Sequence, residues 1–153
     1  MSLKVEDVMV EDVISVSEKA TVKEAAELMN QHEIGCLVVV KDNKPVGIVT
    51  ETDMVKRVIL KPIDPEKTKV KKIMSRPLVV ISPQMNLEEA SKIMRKRKIK
   101  KLPVIKKERL VGLITMTDIV RSPEVMKMMI RAIKRNVIKE IVASIQEKLE
   151  LDK

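Results

Sequence analysis

The sequence contains no aromatic residue and only three glycines, and both shortages limit what the protein can bind. Without Phe, Tyr or Trp, the chain cannot build a base-stacking platform or an aromatic cage. The glycines, Gly35, Gly47 and Gly112, form neither a Gly-x-Gly-x-x-Gly loop nor a Gly-Lys-Ser/Thr phosphate loop. Nucleotide-binding loops of these two types are therefore excluded.

Histidine and cysteine are just as scarce, with one residue of each, His32 and Cys36. Two such residues are too few for a closed zinc site or a disulfide, and they leave little for Cys/His nucleophilic catalysis. They also lie where a helix is expected to give way to a strand. We therefore expect no catalytic residue and no metal site, and we do not expect the chain to be an enzyme.

Long apolar runs and paired cysteines are missing as well, and we expect no signal peptide. The longest apolar runs, Cys36 to Val40 and Leu78 to Ile81, are far below the ~18 residues that a membrane span requires. These features predict a cytoplasmic protein without membrane association. Charged residues make up 35% of the chain, with many Lys and Glu, which resembles the composition of proteins from thermophiles.

The main feature that is present is an internal repeat. Residues 5–55 align without a gap with residues 70–120 at an offset of 65, and 16 of the 51 positions are identical. This self-similarity predicts two copies of one structural unit that pack against each other about a pseudo-twofold axis. The predicted organisation is repeat 1 over 1–60, a linker over 61–69, repeat 2 over 70–121 and a C-terminal extension over 122–153.

Each repeat has the pattern of a β-α-β-β-α unit, so the predicted fold class is α+β. The first strand is predicted at Val13–Val16 and Leu78–Ile81. The first helix is predicted to begin after Thr21 and Asn86, each followed three residues later by a glutamate, as in a capping box. Two further strands and a hairpin turn are predicted in each copy, with a second helix beginning near an aspartate. The strands are Cys36–Val40, Val46–Thr50, Leu102–Ile105 and Leu110–Thr115; the turns are Asp42–Pro45 and Lys106–Arg109; the aspartates are Asp53 and Asp118.

The C-terminal extension is predicted to be one amphipathic helix of about 25 residues that begins at Ser122-Pro123-Glu124. Apolar residues form a stripe along it. They are Met126, Met129, Ile130, Ile133, Val137, Ile141, Ile145 and Leu149. The stripe is compatible with two structures, a helix folded back on its own core or a helix that pairs with a second copy or a partner.

The identities between the repeats concentrate where the last strand meets the second helix, in Gly-x-x-Thr-x-x-Asp. Thr50 with Asp53, and Thr115 with Asp118, have the spacing of a helix cap that needs no ligand. The same hydroxyl and carboxylate suit a hydroxylated, phosphorylated ligand, because an Asp can accept hydrogen bonds from a ribose diol. The residues alone favour the cap and leave the ligand interpretation open.

The tandem arrangement, the Val-x-x-Val/Ile-Met segment at each start, the Leu-Pro-Val-Ile run at 102–105 and the paired Gly-x-x-Thr-x-x-Asp motifs resemble a CBS-domain pair, or Bateman module. The resemblance covers residues 5–121. It implies two clefts that bind adenosine-type ligands such as AMP, ADP, ATP or S-adenosylmethionine. It also implies that the Asp holds the ribose, that the Thr lies near ribose or phosphate, and that the first strand contacts adenine.

Carried over to this sequence, the resemblance implies one cleft with Thr50 and Asp53 and another with Thr115 and Asp118. Ile14 and Val79 would lie beside the adenines. Basic residues often precede the Leu-Pro-Val run in this family, and here they are Lys100 and Lys101, with Arg121 as a further candidate; a solvated surface is the alternative role for the lysines. Repeat 1 departs from the pattern, with Gly35 and Cys36 at the corresponding positions and Val38 in place of proline, so we expect unequal clefts.

Charge is unevenly distributed along the chain. Residues 1–69 carry 10 basic and 13 acidic groups, whereas residues 70–153 carry 21 basic and 9 acidic groups.

The sequence as a whole leads to three hypotheses for the function. The leading one is a regulatory sensor of adenosine-type ligands that signals to a regulated partner protein, expected to be a homodimer. The alternatives are a dimerisation scaffold with vestigial clefts and a nucleic-acid-binding protein that uses its basic second half. Such pairs also occur in IMP dehydrogenases, whose catalytic barrel would need ~200 or more further residues.

Overall fold

A computed structural model describes residues 3–76 and 78–151. The chain divides into two compact units, Met1–Met116 and Thr117–Lys153. Helices and strands are mixed along it, which confirms the predicted α+β class. In chain order the elements are β1 (Ser15–Ser17), α1 (Val22–His32), β2 (Cys36–Lys41), β3 (Lys44–Thr50), α2 (Glu51–Met54), α3 (Leu87–Arg97), β4 (Lys101–Lys106), β5 (Arg109–Thr115), α4 (Met116–Arg121) and α5 (Pro123–Leu151), with 3-10 turns at Val5–Asp7 and Val70–Lys72 and a π-helical segment at Val55–Ile59.

The strands of the first unit form two sheets. In the sheet of repeat 1, β1 pairs parallel with β2, and β2 pairs antiparallel with β3. In repeat 2, β4 and β5 form an antiparallel hairpin. Both hairpins turn through two residues with positive φ, Asp42 and Asn43 in one and Lys107 and Glu108 in the other. These values, 49° and 63° in both turns, are those of a type I′ turn, which matches the twist of the flanking strands.

The predicted first strands are partly wrong. In repeat 1 the strand begins two residues later than predicted, at Ser15, and ends at Ser17. In repeat 2 the residues from Leu78 to Ile81 form no regular strand, and Ile81 makes a single parallel bridge to Val104. Both segments are apolar, but a strand exists only where a neighbouring edge supplies a continuous ladder of hydrogen bonds.

Local sequence signals set the helix starts. The Thr21 hydroxyl accepts from the Glu24 N–H at 3.1 Å, and the Glu24 carboxylate accepts from the Thr21 N–H at 2.8 Å. This reciprocal pair is the predicted capping box. α1 then buries Val22, Ala25 and Met29, which recur at helical spacing. The second helix of each repeat begins at Glu51 or Met116, two residues before the predicted start.

The two repeats exchange the short segments that precede them. The segment that begins with the Val70–Lys72 turn, at the start of repeat 2, supplies Val70, Ile73 and Met74 to the core of repeat 1. Ser75 continues this contact by pairing with Ile48 of β3, with N···O distances of 2.8 and 3.3 Å. The segment from repeat 2 is therefore an edge of the repeat 1 sheet.

The exchange is reciprocal at the other end. Val10, at the start of repeat 1, pairs with Leu113 of β5 through two hydrogen bonds of 2.9 Å. The Val5 N–H donates to the Met85 carbonyl at 2.9 Å, as the Val70 N–H donates to the Ala20 carbonyl at 2.8 Å. These exchanged contacts have counterparts 65 residues away, as the predicted twofold relation between the repeats requires. Neither repeat can close its core without the other.

The second unit contains most of α4 and all of α5. Ser122 and Glu124 form the predicted helix start, with the Ser122 hydroxyl donating to the Glu124 carboxylate at 2.8 Å and accepting from the Val125 N–H at 3.4 Å. Pro123 occupies the first helical position, where a missing N–H costs nothing. α5 is 29 residues long, somewhat longer than the predicted 25.

Candidate functional site

The motif residues of repeat 1 form a second capping box at the start of α2. The Asp53 N–H donates to the Thr50 hydroxyl oxygen at 3.2 Å, and the Thr50 N–H donates to Asp53 Oδ2 at 2.9 Å. The Thr50 hydroxyl itself donates to the same carboxylate oxygen at 3.1 Å. The structural interpretation of the motif, a helix cap, is therefore realised in repeat 1, and it holds the hydroxyl and the carboxylate in one fixed geometry.

Arg57 holds the other oxygen of Asp53. Its Nη1 lies 3.5 Å from Asp53 Oδ1 and donates to the Ile73 carbonyl at 2.6 Å. Asp53 is 8% exposed, whereas the Arg57 side chain is 41% exposed. The Arg57 guanidinium thus connects a buried carboxylate of repeat 1 to the exchanged segment at the start of repeat 2, and it stays partly open to solvent.

Lys101 reaches from repeat 2 into repeat 1. Its Nζ donates to the Gly35 carbonyl at 3.4 Å. The same carbonyl accepts from the Glu51 N–H at 3.0 Å, immediately after Thr50. Since both donors share one oxygen, the Lys101 ammonium lies beside the start of α2. The structure therefore brings Thr50, Asp53 and Lys101 to one region, in which hydroxyl, carboxylate, guanidinium and ammonium groups coexist.

The remaining predicted site residues are distributed over several segments of the two repeats. Ile14 is half-buried and packs against the core of repeat 1, and Val79 is half-buried in the irregular segment before Ile81. Lys100 is exposed, and its carbonyl accepts from the Met116 N–H at 2.8 Å. The remaining candidates have these positions: Thr115 half-buried at the end of β5, Asp118 half-buried in α4, and Arg121 exposed at the end of α4.

A separate open cavity of about 510 Å³ lies in the first unit between α1 and α2. Its lining residues are Ala26, Met29, Asn30, Glu33, Ile34, Glu51, Met54 and Val55. Thr50 and Asp53, which the structure also describes, do not line it. Carboxylates of Glu33 and Glu51 give its rim negative charge, which does not favour a phosphorylated ligand.

Neither a metal centre nor a membrane span is found in the described ranges. No group of three or more His, Cys, Asp or Glu side chains within residues 3–76 and 78–151 could hold a metal ion. Cys36 is buried at the start of β2, four residues after His32 ends α1. Over the same ranges, every helix is too short or too polar to traverse a lipid bilayer.

Comparison with known proteins shows which protein family the chain belongs to. The family model for the CBS domain matches residues 5–60 and again residues 70–125. The chain therefore belongs to the CBS-domain family and carries two CBS domains in tandem. A pair of this kind is a regulatory module known to bind adenosine ligands. The predicted resemblance is confirmed, while the predicted domain boundaries stay predictions.

Three relatives and two solved structures illustrate the match. The chain is 36% identical over 115 residues to the CBS domain-containing protein YhcV of Bacillus subtilis, which covers 75% of this chain and 81% of YhcV. Two archaeal relatives are longer, and the match spans 62% of each. The hexameric CBS-CP12 protein from bloom-forming cyanobacteria has a TM-score of 0.74 at 30% identity, covering 94% of this chain and 90% of that one. The CBS domain pair of MJ0100, solved in complex with 5′-methylthioadenosine and S-adenosyl-L-methionine, has a TM-score of 0.72 at 27% identity, covering 79% of this chain and 95% of that one.

Sequence reasoning missed Arg57 and the reach of Lys101 into repeat 1. For Arg57 a signal was available, because an aspartate and an arginine four residues apart share a helix face. For Lys101 no local signal exists, since its partner carbonyl at Gly35 is 66 residues away in the chain.

Proposed function

We propose that this protein is a regulatory module that binds an adenosine-type ligand, AMP, ADP, ATP or S-adenosylmethionine, and signals its occupancy to a partner protein. The observation that carries the proposal is the convergence of Thr50, Asp53, Arg57 and Lys101 in a chain built of two CBS domains. Hydroxyl and carboxylate groups match a ribose, and two cations match a phosphate or a carboxylate. The proposal includes no catalysis, since no described cluster offers a nucleophile with its base.

In this proposal Asp53 and Thr50 contact the ribose of one ligand, and Asp118 and Thr115 contact that of a second. Ile14 and Val79 lie beside the adenines. Lys100, Lys101 and Arg121 neutralise the anionic end of the ligand. Arg57, whose guanidinium lies beside Asp53, contributes a further positive charge. The complex of the MJ0100 pair with two adenosine compounds supports this chemistry. The two sites are unequal, because Gly35 and Cys36 stand in repeat 1 where Lys100 and Lys101 stand in repeat 2.

The test is thermal unfolding of nucleotide-stripped protein with each ligand added singly. A ligand at a hundred times its dissociation constant stabilises the native state by ~2.7 kcal/mol, which is a shift of several degrees for a chain of this size. Asp53→Asn and Asp118→Asn are each expected to reduce the shift for the ligand bound at that site. The ligand-free midpoint also measures the heat-adapted stability that the composition predicts.

Glu24→Gln is the matched control, because it weakens a capping box of the same geometry outside the proposed site. It is expected to lower the ligand-free midpoint while leaving the ligand-induced shift intact. If Glu24→Gln removes the shift as fully as Asp53→Asn does, the aspartate acts through helix stability and the site is misassigned. No shift with any of the four ligands overturns the proposal.

One observation favours a second function, a scaffold with vestigial clefts. Both carboxylate oxygens of Asp53 already have partners, Thr50 at Oδ2 and Arg57 at Oδ1. A ribose would have to share or displace those hydrogen bonds. Absence of a ligand-induced shift would favour this function, whereas binding to nucleic acid that weakens steeply with salt and ignores both aspartate variants would favour the nucleic-acid alternative. The sensor proposal assumes a cytoplasmic homodimer, in keeping with the sequence-based prediction.

A further inference from the structure

α5 presents an unusually long apolar surface. It runs for 29 residues, or ~43 Å at 1.5 Å per residue, and no residue of this fully described helix is buried. Its large apolar side chains are 46% to 79% exposed. They are Met126, Met128, Met129, Ile130, Ile133, Val137, Ile138, Ile141, Val142, Ile145, Leu149 and Leu151. Helices of proteins gain most of their stability from packing an apolar face, so this face implies an occupant.

The charges of α5 are divided between its two halves. Residues 123–139 carry five basic side chains and one acidic side chain, whereas residues 140–151 carry one basic and three acidic side chains. The helix macrodipole acts only on the terminal turns, where Glu124 and Lys148 already have the favourable signs, so it does not account for the division between the halves. The stability of the isolated helix therefore does not explain the arrangement.

A second α5 in antiparallel orientation does explain it. The basic half of one helix then lies against the acidic half of the other, twice by symmetry, whereas a parallel pair places like charges together. With Val137 at the twofold axis, Ile133 lies level with Ile141 of the second copy, and Lys134 lies level with Glu140. Met129 is level with Ile145 and Lys127 with Glu147 in the same register. The like-charged levels, Arg135 with Lys139 and Glu124 with Glu150, lie on the side of the helix away from Val137.

We infer that α5 is a self-pairing helix, through which two copies of this chain form a homodimer with their α5 helices antiparallel. One helix supplies both halves of the charge complementarity and an apolar face, so no other protein is needed to cover it. The inference concerns assembly and does not depend on ligand binding at Asp53.

Disulfide trapping of variants that each add one cysteine to the full chain tests the orientation. Cys36 is 7% exposed, so the wild-type chain is the control and should give no covalent dimer on mild oxidation. Val137→Cys is expected to form a covalent dimer with itself. Met129→Cys alone is not, but it should cross-link to Ile145→Cys when the two variants are mixed. Self-linkage of Met129→Cys at the level of Val137→Cys would show parallel helices and overturn the inference.

Sedimentation of charge variants tests whether this helix makes the dimer. Val137→Glu places two carboxylates at the proposed axis and is expected to weaken dimerisation more than tenfold. Asn136→Glu adds the same charge one residue away, off the apolar stripe, and is expected to leave the dimer intact. A wild-type chain that is monomeric at micromolar concentration would show α5 folded on its own chain or awaiting another protein. That result, or a dimer insensitive to Val137→Glu, overturns the inference.

Discussion

Gly47 and Gly112 are repeated because the exchanged segments approach the backbone of β3 and β5 closely. A Cβ atom at Gly47 would lie 2.5 Å from Met74 Sδ and 3.1 Å from the Ser75 carbonyl oxygen. A Cβ atom at Gly112 would collide with the Met9 sulfur and lie 3.1 Å from the Val10 carbonyl oxygen. Neither glycine has a positive φ, so the requirement is steric rather than conformational. The identity of glycine and methionine in both repeats therefore has one physical cause.

Gly47→Ala and Gly112→Ala are each expected to destabilise the protein by about 1–3 kcal/mol, because an added methyl group overpacks a tight contact. Chemical denaturation measures the loss. Gly35→Ala is the control, since its Cβ would meet the flexible Glu51 carboxylate at 3.4 Å, an ordinary contact. Equal losses for all three variants would contradict the role assigned to the exchanged segments.

At the scale of single elements, the Ser122 hydroxyl makes two hydrogen bonds at the start of α5. The Ser122 hydroxyl donates to the Glu124 carboxylate at 2.8 Å and thereby lowers the pKa of Glu124 below its ordinary value, with a further contribution from a backbone hydrogen bond. The ionised form is thus favoured in the folded helix. Because the folded pKa lies below the unfolded one, this stabilisation is complete above the unfolded pKa and is lost as the pH falls through the folded pKa.

Ser122→Ala is therefore expected to raise the pKa of Glu124 toward its ordinary value. It should also flatten the acid-induced loss of helix that begins at this end. NMR titration of the Glu124 carboxyl resonance measures the first effect, and far-UV circular dichroism measures the second. Ser144→Ala, which removes a hydroxyl from the distant half of the same helix, should change neither. An unchanged Glu124 titration in Ser122→Ala would disprove the assigned cause.

At the scale of the whole molecule, the two repeats are one folding unit joined by exchange. Val70 is fully buried in the core of repeat 1, although it belongs to repeat 2 by sequence. Val5 is also fully buried, and its N–H donates to the Met85 carbonyl of repeat 2. The segment that directly follows the linker is therefore part of the core of repeat 1.

Val70→Ala is expected to destabilise the protein by about 2 kcal/mol, since it removes two buried carbon atoms and leaves a cavity. Hydrogen exchange should show the largest loss of protection in β2 and β3 of repeat 1. Val5→Ala, its counterpart, should affect β4 and β5 most. If each substitution instead weakens its own repeat more than the other, the exchange does not carry the stability that the structure implies.

The sequence by itself determined what depends on neighbours a few residues apart. The Thr21–Glu24 and Thr50–Asp53 boxes and the α5 start at Ser122 formed as predicted. Both hairpins formed as well, but Lys44 and Pro45 belong to β3 and not to the predicted turn of repeat 1. These local structures are formed by hydrogen bonds between residues two to four positions apart. Their residue patterns can therefore be recognised in a single sequence. The 65-residue repeat and its motifs likewise supported the resemblance to the CBS-domain family, because a duplicated motif is itself a property of the sequence.

Tertiary structure alone decided the features that join distant residues. The segment from Leu78 to Ile81 is as apolar as a strand, yet only Ile81 pairs with β4, through a single parallel bridge to Val104. The exchange of the segments around Val5 and Val70, the bond from Lys101 to Gly35 and the bond from Arg57 to Ile73 connect positions that no local pattern relates. Such contacts form where folding brings two surfaces of the repeats together. Burial and hydrogen bonding depend on distance in space and not on distance in the sequence.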